Sequence, residues 1–457
     1  MQHVRDGKYL EVTTSAGNRA TVLLPRPLPV ERKAVVQLAA LADVGHPAGG
    51  RVTGVYAAPD FHPGDAGVAI GSVAITDGMV IPEAVGSDIC CGMRLHAVGA
   101  DVGRVRAARD QLVTRLRGDY FLGTRDVVFD GVALRALFVD GLAGFGDALR
   151  VGGLRGRLAR VDPTRFQADL LRCHVFDKLP RGTLDCLPSG LAPTTGTVRD
   201  PGLGTIGSGN HFVEVQEVVE VFDAARARAW GLRVGHAAFM IHSGSRHVGK
   251  HVGGIWRAKA REAWPRGVRY PESAIFPLSV AATPGLVADY LAAQAAAAYY
   301  GTLNRIVLAE LLVAALGEAL SGVDTPLVYD LPHNLTLAHH TRDMWISRKG
   351  ACPAEVDVPV VVPGSMGAAS FVGVGLGSSR HLCSASHGAG RARSRGEMRR
   401  CRDLGLETVD CVTTSDDRRI EEAPAAYKDI NVVVGAQVEE GVLSLVAKLR
   451  PVLTFKA

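Results

Sequence analysis

The 457-residue chain contains no CxxC pair among its eight cysteines and no Ser/Gly-rich or Pro-rich linker. Without paired cysteine spacings, neither a disulfide scaffold nor a zinc ribbon is expected, and a reducing cytoplasm suits the free thiols. No uncharged stretch is long enough to cross a bilayer, and the N-terminus lacks the apolar segment of a secretion signal. We therefore expect a soluble, cytoplasmic protein with no membrane contact.

The composition is that of a folded protein with a large core, since 47% of the residues are hydrophobic and the net charge is only +5. Because no linker divides the chain, we expect one domain over residues 1–457. We also expect the protein to be a monomer. Basic residues cluster over 104–117 and 390–402. Each cluster suits either a phosphate backbone or a solvated helix face. We leave both readings open for the first and favour a nucleic-acid backbone for the second.

Hydrophobic periodicity predicts an α+β fold with flanking helices. From the metal-binding residue types that stand at the predicted strand ends, we expect mixed β-sheets around a central metal cleft. Between residues 54 and 101, Gly and Val alternate with polar turn residues, as in short strands and loops that carry a site. The other predicted elements are two strands within 8–25, a helix over 30–43, a helical insertion over about 103–180, a long helix over Pro284–Leu320 and two strands in the tail from Val432.

Four histidines stand beside Gly, Ser or Asn at predicted strand-to-turn junctions. His211, His242, His333 and His387 occupy the contexts GSGNHF, MIHSGSR, DLPHN and SASHGAGR. A lone histidine in a strand is usually a hydrogen-bonded structural residue, which we expect for most of the others. Four histidines in matching contexts are instead expected to converge on one cleft.

The segment VGSDICCGMR places Asp88 and Cys91 where a tight turn can offer a carboxylate and a thiolate to one ion. A set of thiolate, carboxylate and imidazole ligands suits Mn²⁺, Zn²⁺, Fe²⁺ or Co²⁺ better than Mg²⁺ or Ca²⁺. The alternative for Cys91 is a small buried apolar residue, which is what we expect of Cys90.

Two glycine-rich turns have the character of a phosphate cradle. In HGAGR, residues 387–391, small residues let backbone N–H groups approach an anion, and Arg391 supplies a forked cation. The turn PGSMG, residues 363–367, can face the first turn across a nucleotide phosphate. Neither follows the Walker or dinucleotide pattern, so neither identifies a nucleotide by itself.

Over nearly its whole length the chain resembles the RtcB family of RNA ligases. The resemblance is carried by eight motifs in the family's order: PDFHPG, AVGSDICCGMR, GSGNHFVEVQ, HSGSR, PHN, PGSMGAASF, SHGAGR and YKDI. It implies two Mn²⁺ ions bridged by Cys91. Asp88 and His211 would bind one ion, and His242 and His333 the other.

The resemblance also implies that His387 attacks the α-phosphate of GTP to form a histidine–GMP intermediate. GMP would pass to an RNA 3′-phosphate, and a 5′-hydroxyl would then close the phosphodiester and release GMP. A 2′,3′-cyclic phosphate would first be opened by hydrolysis. The implied substrates are tRNA halves or broken RNA, in tRNA splicing or RNA repair.

The same resemblance implies a nucleotide site in which Glu214 accepts hydrogen bonds from guanine. Asp60, in the PDFH motif, would lie near the metals, and Tyr427 either contacts the guanine or packs at the surface. Arg246 and Arg391 are further candidates. The matching nucleotide positions are Asn210, His211, Phe212, Val213, Glu214, His333, Asn334, Pro363, Gly364, Ser365, Met366, Ser370, His387, Gly388, Ala389, Gly390 and Lys456.

Two other functions remain as alternatives. A metal-dependent phosphoesterase needs the ligands but no nucleotide, and an RNA-binding regulatory protein derived from a ligase needs neither. Departures from the commoner family pattern at Cys90, His247 and Tyr329 also leave open a divergent paralogue with a repair role.

Overall fold

Two large β-sheets dominate the computed structural model, which describes residues 1–339 and 341–457. The strands are β1 (Gln2–Asp6), β2 (Tyr9–Thr13), β3 (Arg19–Leu23), β4 (Arg51–His62), β5 (Ile70–Asp77), β6 (Met79–Val80), β7 (Gly92–Asp101), β8 (Val127–Asp130), β9 (Arg155–Gly156), β10 (Thr197–Val198), β11 (Phe212–Val221), β12 (His236–Ser243), β13 (Leu278–Ser279), β14 (Leu327–Pro332), β15 (Asn334–His339), β16 (Thr341–Lys349), β17 (Ala351–Pro353), β18 (Pro359–Val362), β19 (Ser370–Gly375), β20 (Ser384–Ser386), β21 (Cys411–Thr413) and β22 (Leu443–Lys456). The helices are α1 (Arg32–Ala42), α2 (Val102–Ala107), α3 (Arg109–Phe121), α4 (Gly131–Gly152), α5 (Pro163–Leu171), α6 (Ala224–Ala229), α7 (Arg246–Glu262), α8 (Pro284–Leu320), α9 (Arg395–Met398), α10 (Asp416–Glu421) and α11 (Ile430–Glu439).

The first sheet has the order β1-β2-β3-β4-β5-β16-β15, and the second has the order β14-β7-β12-β11-β22-β19-β18, with β21 beside β22. Strand β3 runs parallel to β4, and β21 runs parallel to β22, whereas the central pairs of the second sheet are antiparallel. The predicted α+β class with mixed sheets is therefore confirmed.

One edge of the second sheet collects the segments that the histidine pattern singled out. Cys91 directly precedes β7, His211 directly precedes β11, His242 lies near the end of β12, and His333 directly follows β14. Adjacent antiparallel strands run in opposite directions, so the start of one strand lies beside the end of the next. The register shows this alignment, because Gly92 pairs with both Ser243 and Pro332.

The long helix α8 has the bounds that the sequence predicts. Apolar residues occupy all of its faces, which is the pattern of a helix enclosed by a core, and every residue from Ala293 to Leu312 is buried. The helix packs against α4, α7 and β12. Across the described residues, no helix combines the length and apolar character that a bilayer crossing requires.

Two expectations need correction. The tail from Val432 does not form two strands, because α11 continues to Glu439 and a single strand, β22, follows. A bulge near Pro451 interrupts the register of that strand and gives its sequence the look of two segments. The segment 103–180 contains the expected helices but also β8 and β9. Its Phe138 and Phe145 pack into the same core as α8.

We expect the centre of β12 to be far more sensitive to truncation than a sheet end. Phe239 is fully buried and stacks on His96 with ring centroids 4.6 Å apart, whereas Phe222 is 45% exposed. Phe239→Ala should lower the free energy of unfolding by about 3–5 kcal/mol, because it removes buried apolar surface and leaves a cavity. Urea unfolding checks this with Phe222→Ala as the control, and equal losses in the two variants would contradict the packing described.

Candidate active site

A cavity of about 320 Å³ lies at the edge of the second sheet and is also lined by residues of the first sheet. His333 stands between β14 of the second sheet and β15 of the first, so the chain crosses from one sheet to the other at the cavity wall. Asp88, Cys91, His242 and His387 line the same cavity. The predicted convergence of strand-end residues therefore occurs at this position.

The five candidate metal ligands form one continuous series of contacts. The Oδ2 atom of Asp88 lies 2.9 Å from Nε2 of His211, and Sγ of Cys91 lies 3.2 Å from Nε2 of both His211 and His242. Nε2 of His242 lies 3.3 Å from Nε2 of His333. Cys91 therefore connects two pairs of candidate ligands, Asp88 with His211 on one side and His242 with His333 on the other.

Backbone carbonyls orient two of these imidazoles. Nδ1 of His211 lies 3.1 Å from the carbonyl oxygen of Ile206, and Nδ1 of His242 lies 3.2 Å from that of Asn210. A carbonyl only accepts hydrogen bonds, so each Nδ1 carries the proton and each Nε2 presents a lone pair toward Cys91. Such a carbonyl-held imidazole is the usual arrangement of a metal-binding histidine.

The electrostatics of the cluster also fit a cation. Burial lowers the pKa of both His242 and His333 well below its ordinary value, so both rings are neutral at physiological pH. Burial raises the pKa of the Cys91 thiol well above its usual range. A bound metal ion would oppose that effect and favour the thiolate. Neutral imidazole lone pairs that converge on a sulfur atom therefore form a group that can hold a metal.

Asp60 holds the candidate nucleophile, His387. The Oδ2 atom of Asp60 accepts hydrogen bonds from Nδ1 of His387 at 2.5 Å and from its backbone N–H at 3.1 Å. Nδ1 is thus occupied, which leaves Nε2 as the nitrogen available for bonding to a substrate. The His387 ring lies 4.7 Å from the His333 ring, measured between centroids. Among the described contacts, the Asp60 carboxylate bonds to His387, whose ring lies beside a member of the metal cluster.

The two glycine-rich turns face each other, as the sequence predicts. A Cβ atom built on Gly388 would lie 3.3 Å from the carbonyl oxygen of Pro363. Gly390 has a φ of +73°, and a Cβ there would lie 2.2 Å from the carbonyl oxygen of Asp60, so a larger residue would push the turn away. Both turns line the cavity, which leaves room for a ligand phosphate between them and the histidine cluster.

The far wall of the cavity contains a buried carboxyl group. The side chain of Glu214 accepts hydrogen bonds from Thr454 Oγ1 at 2.5 Å and from Gln216 Nε2 at 2.6 Å. Burial raises the pKa of Glu214 to about 7. Lys456, whose pKa burial lowers, donates to the carbonyl oxygen of His211 at 3.1 Å. This wall can therefore recognise hydrogen-bond donors on a ligand.

Known proteins resemble this chain over most of its length. The family described as tRNA-splicing ligase RtcB matches residues 37–457. The chain belongs to the RtcB family. An RNA-splicing ligase RtcB of Mycobacterium tuberculosis is 33% identical over 88% of this chain and 96% of its own length. The tRNA-splicing ligases RtcB of Archaeoglobus fulgidus and Thermococcus kodakarensis are each 31% identical, over 86% of this chain and 85% of their own lengths.

Some residues that the RtcB motifs suggest for the nucleotide lie behind the cavity wall. Along β11, Phe212 and Glu214 face the cavity, whereas Val213 points into the main core, as strand alternation requires. Ser370 accepts a hydrogen bond from Gln216 at 2.9 Å, behind Glu214. Arg246 donates to Thr205 Oγ1 at 3.1 Å and does not line the cavity.

The other nucleotide candidates line the cavity, apart from His211, which contacts Asp88 and Cys91 in the metal cluster and is not a lining residue. Arg391 donates to Glu422 at 3.0 Å, and the hydroxyl of Tyr427 donates to the same carboxylate, so Tyr427 is held with its ring at the wall rather than packed on the outer surface. The lining residues among the predicted set are Asn210, Phe212, Glu214, His333, Asn334, Pro363, Gly364, Ser365, Met366, His387, Gly388, Ala389, Gly390, Arg391, Tyr427 and Lys456.

Sequence reasoning missed a group of charged lining residues. Lys349, at the end of β16, donates to the carbonyl oxygen of Asp65 at 2.7 Å, and burial lowers its pKa to about 8. Arg257 of α7 also lines the cavity. Neither Lys349 nor Arg257 stands in a motif with a recognisable spacing, and only the fold brings them to the cavity. Arg395, which lines the cavity too, belongs to the second basic cluster that the sequence favours for a nucleic-acid backbone.

The three departures from the commoner RtcB pattern make contacts away from the cluster atoms. Cys90 Sγ lies 3.6 Å from Thr302 Oγ1, and His247 lies 3.5 Å from Asp200. Tyr329 contacts His174 at 3.2 Å. The contacts described among the five candidate ligands therefore do not involve the side chains of Cys90, His247 or Tyr329.

We predict that Cys91→Ala weakens binding of Mn²⁺ or Co²⁺ by more than about 100-fold, beyond the loss typical of residues behind a metal ligand. The reason is that Cys91 is the one side chain common to both sides of the cluster. Cys90→Ala, at the adjacent buried position, should change packing and leave metal affinity near that of the wild type. Metal titration of both variants checks this, and equal losses would show that the two cysteines act together.

Proposed function

We propose that this member of the RtcB family is an RNA ligase that uses GTP and two Mn²⁺ ions. It joins an RNA 3′-phosphate, or a 2′,3′-cyclic phosphate after hydrolysis, to a 5′-hydroxyl end. The main support is the position of His387, whose Nδ1 is held by Asp60 and whose ring lies beside His333. The relatives named RNA-splicing or tRNA-splicing ligases support ligation of tRNA halves or broken RNA.

The candidate ligands would hold the two ions in two sets that share a thiolate. Asp88, Cys91 and His211 would hold one ion, and Cys91, His242 and His333 would hold the other, as their contacts suggest. When bound, such ions neutralise the charge that develops on a phosphate during transfer. The mixed hardness of the ligands is compatible with Mn²⁺.

In the first step, Nε2 of His387 forms a bond to the α-phosphorus of GTP. The bond between that phosphorus and the oxygen that bridges to the β-phosphate breaks, and pyrophosphate leaves. Asp60 retains the proton on Nδ1 and stabilises the positive charge that the ring acquires. The backbone of the 387–391 turn and that of the 363–367 turn lie where they can donate hydrogen bonds to the phosphates.

In the following steps, the GMP group moves to RNA and is then released. An oxygen of the RNA 3′-phosphate bonds to the phosphorus on His387, and the nitrogen–phosphorus bond breaks. The RNA 5′-hydroxyl then bonds to the activated 3′-phosphorus, loses its proton, and displaces GMP. Arg395 and Arg257, at the cavity wall, supply positive charge for the RNA backbone.

The buried carboxyl of Glu214 provides a basis for selecting guanine. As a carboxylate it accepts hydrogen bonds from Thr454 and Gln216 and still has lone pairs for the N1 and N2 groups of guanine. Adenine presents no donor at N1. Discrimination of GTP from ATP is therefore assigned to Glu214.

A metal-dependent phosphoesterase is the second candidate, because hydrolysis needs the same ligands. The paired turns at 363–367 and 387–391 and the Asp60–His387 hydrogen bond favour the ligase, since a simple hydrolase has no need of a nucleotide site or an oriented nucleophile. A regulatory RNA-binding protein would need neither a complete ligand set nor a held nucleophile.

We predict that His387→Ala retains metal and GTP binding but forms no covalent GMP adduct, because it removes only the nucleophilic nitrogen. The same variant should still join RNA that carries a preformed 3′-guanylylated end. Incubation with Mn²⁺ and labelled GTP, followed by a test of acid lability, measures the adduct.

The matched control is His381→Ala, which removes a buried histidine that contacts Tyr9 and Ser378 outside the cavity. This control should form the adduct at the wild-type level. Formation of the acid-labile adduct by His387→Ala would show that another residue is the nucleophile.

We predict that GTP binding strengthens by about tenfold between pH 6 and pH 8, because Glu214, with a pKa of about 7, becomes a carboxylate over this range. Glu214→Gln should bind GTP more weakly and with no such rise. Glu217→Gln, on the same strand but paired with Arg450 outside the cavity, should keep it. Calorimetric titration with a non-hydrolysable GTP analogue provides the measurement, and an unchanged pH profile in Glu214→Gln would reject this role.

A further inference from the structure

Helix α8 carries no candidate metal ligand, yet its buried middle contains polar side chains that lie directly behind the ligand cluster. Thr302, Asn304 and Arg305 are fully buried in a helix that is mostly apolar. Burial of such groups is unfavourable unless their hydrogen bonds are satisfied. Their partners are therefore informative, and they lie mainly in the turns that hold the ligands.

The amide of Asn304 joins two ligand-bearing segments. Its Oδ1 accepts hydrogen bonds from the backbone N–H groups of Gly204 and Thr205, at 2.8 and 3.3 Å. Its Nδ2 faces the carbonyl oxygens of Thr205 and Gly244 and the hydroxyl of Ser243, at 3.0–3.2 Å.

Both of these segments lead directly to a ligand. The Ser243 hydroxyl donates to the carbonyl oxygen of Ile206 at 2.7 Å, and the same oxygen orients His211. Ser243 also directly follows His242 in the chain. Asn304 thus sets the spacing between the segments of His211 and His242.

The guanidinium of Arg305 joins the remaining segments. It donates to the carbonyl oxygen of Cys90 at 2.5 Å and to that of Ser243 at 3.0 Å, and these residues adjoin Cys91 and His242. Its Nε and Nη2 atoms donate to Asp330 on β14, the strand that leads to His333. One planar fork thus links the backbone beside two of the ligands and, through the Asp330 side chain, the strand that leads to a third. A lysine ammonium cannot reproduce this set of bonds.

We propose that Asn304 and Arg305 are positioning residues that fix the distances between the candidate metal ligands and thereby determine metal affinity. This inference rests on the proposed metal centre and deepens it. Residues that orient ligands from behind commonly change metal affinity by about 10–100-fold when replaced. A buried ion pair such as Arg305–Asp330 contributes little net stability. We therefore assign it the role of fixing the position of β14 relative to the ligand-bearing turns.

The chain offers a close control for Arg305. Arg94 is also fully buried and also contacts Asp330, but its other partners are His96, Cys173 and Asp169, none of which adjoins a candidate ligand. Arg305→Lys and Arg94→Lys therefore make the same chemical change against the same carboxylate. Only the first removes hydrogen bonds to the ligand-bearing turns.

The experiment titrates Co²⁺ alone into the full-length apoprotein and follows its visible absorption, which reports ligand geometry, together with the thermal unfolding midpoint. We expect both lysine variants to lose stability, and only Arg305→Lys to bind Co²⁺ about 10–100-fold more weakly, with altered band intensities. Identical Co²⁺ spectra and affinities in the wild type and Arg305→Lys would overturn this inference but would leave the proposed metal centre intact. Absence of Co²⁺ binding by the wild type would instead contradict the metal centre of the proposed function and remove the basis of the inference.

A second pair of variants tests the same inference if Arg305→Lys does not fold. Asn304→Asp is isosteric but turns a carboxylate oxygen toward the three acceptors that Nδ2 now faces. Gln294→Glu makes the equivalent change on the same helix. The side-chain amide of Gln294 exchanges hydrogen bonds with the backbone N–H and carbonyl groups of Thr336. We expect weaker Co²⁺ binding in Asn304→Asp alone, and equal effects of the two changes would count against a positioning role.

Discussion

The Sγ atom of Cys91 lies 3.2 Å from the Nε2 atoms of His211 and His242. The proton of each ring is on Nδ1, which donates to a backbone carbonyl. Lone pairs that converge in this way repel one another unless a cation or the thiol proton lies between them, so the surrounding structure must hold the three side chains together. Much of the fold can be understood from this requirement. The ligands come from the ends of adjacent strands, where the backbone is fixed by the sheet register.

Two different supports meet at the cluster. The antiparallel second sheet aligns the starts of β7 and β11 with the ends of β12 and β14, which sets the ligands along one edge. Helix α8 lies behind that edge and joins the turns through Asn304 and Arg305. Because a helix enclosed by apolar packing moves little, its polar groups are a rigid reference for the turns around them.

The cavity has chemically distinct ends around the candidate nucleophile. Asp60, from the first sheet, orients His387, while the second sheet supplies the metal cluster and the Glu214 wall. Lys349 and Arg257 also line the cavity, and such basic groups are suited to phosphates. The proposed guanylyl transfer would bring a nucleotide and an RNA end to one histidine, and the cavity wall offers groups for both.

The sequence by itself determined the α+β class, the bounds of α8 and the family, and it predicted a set of candidate metal ligands. Those features depend on local periodicity and on motifs such as GSGNHF and SASHGAGR, which are readable without distances. Only the tertiary structure decided that Asp60 contacts His387 and that Arg305 binds the backbone beside Cys91 and His242. These partners are separated by between 62 and 327 residues along the chain. A single sequence contains no periodic or spacing signal for such pairs, because they are set by how the two sheets and α8 pack together.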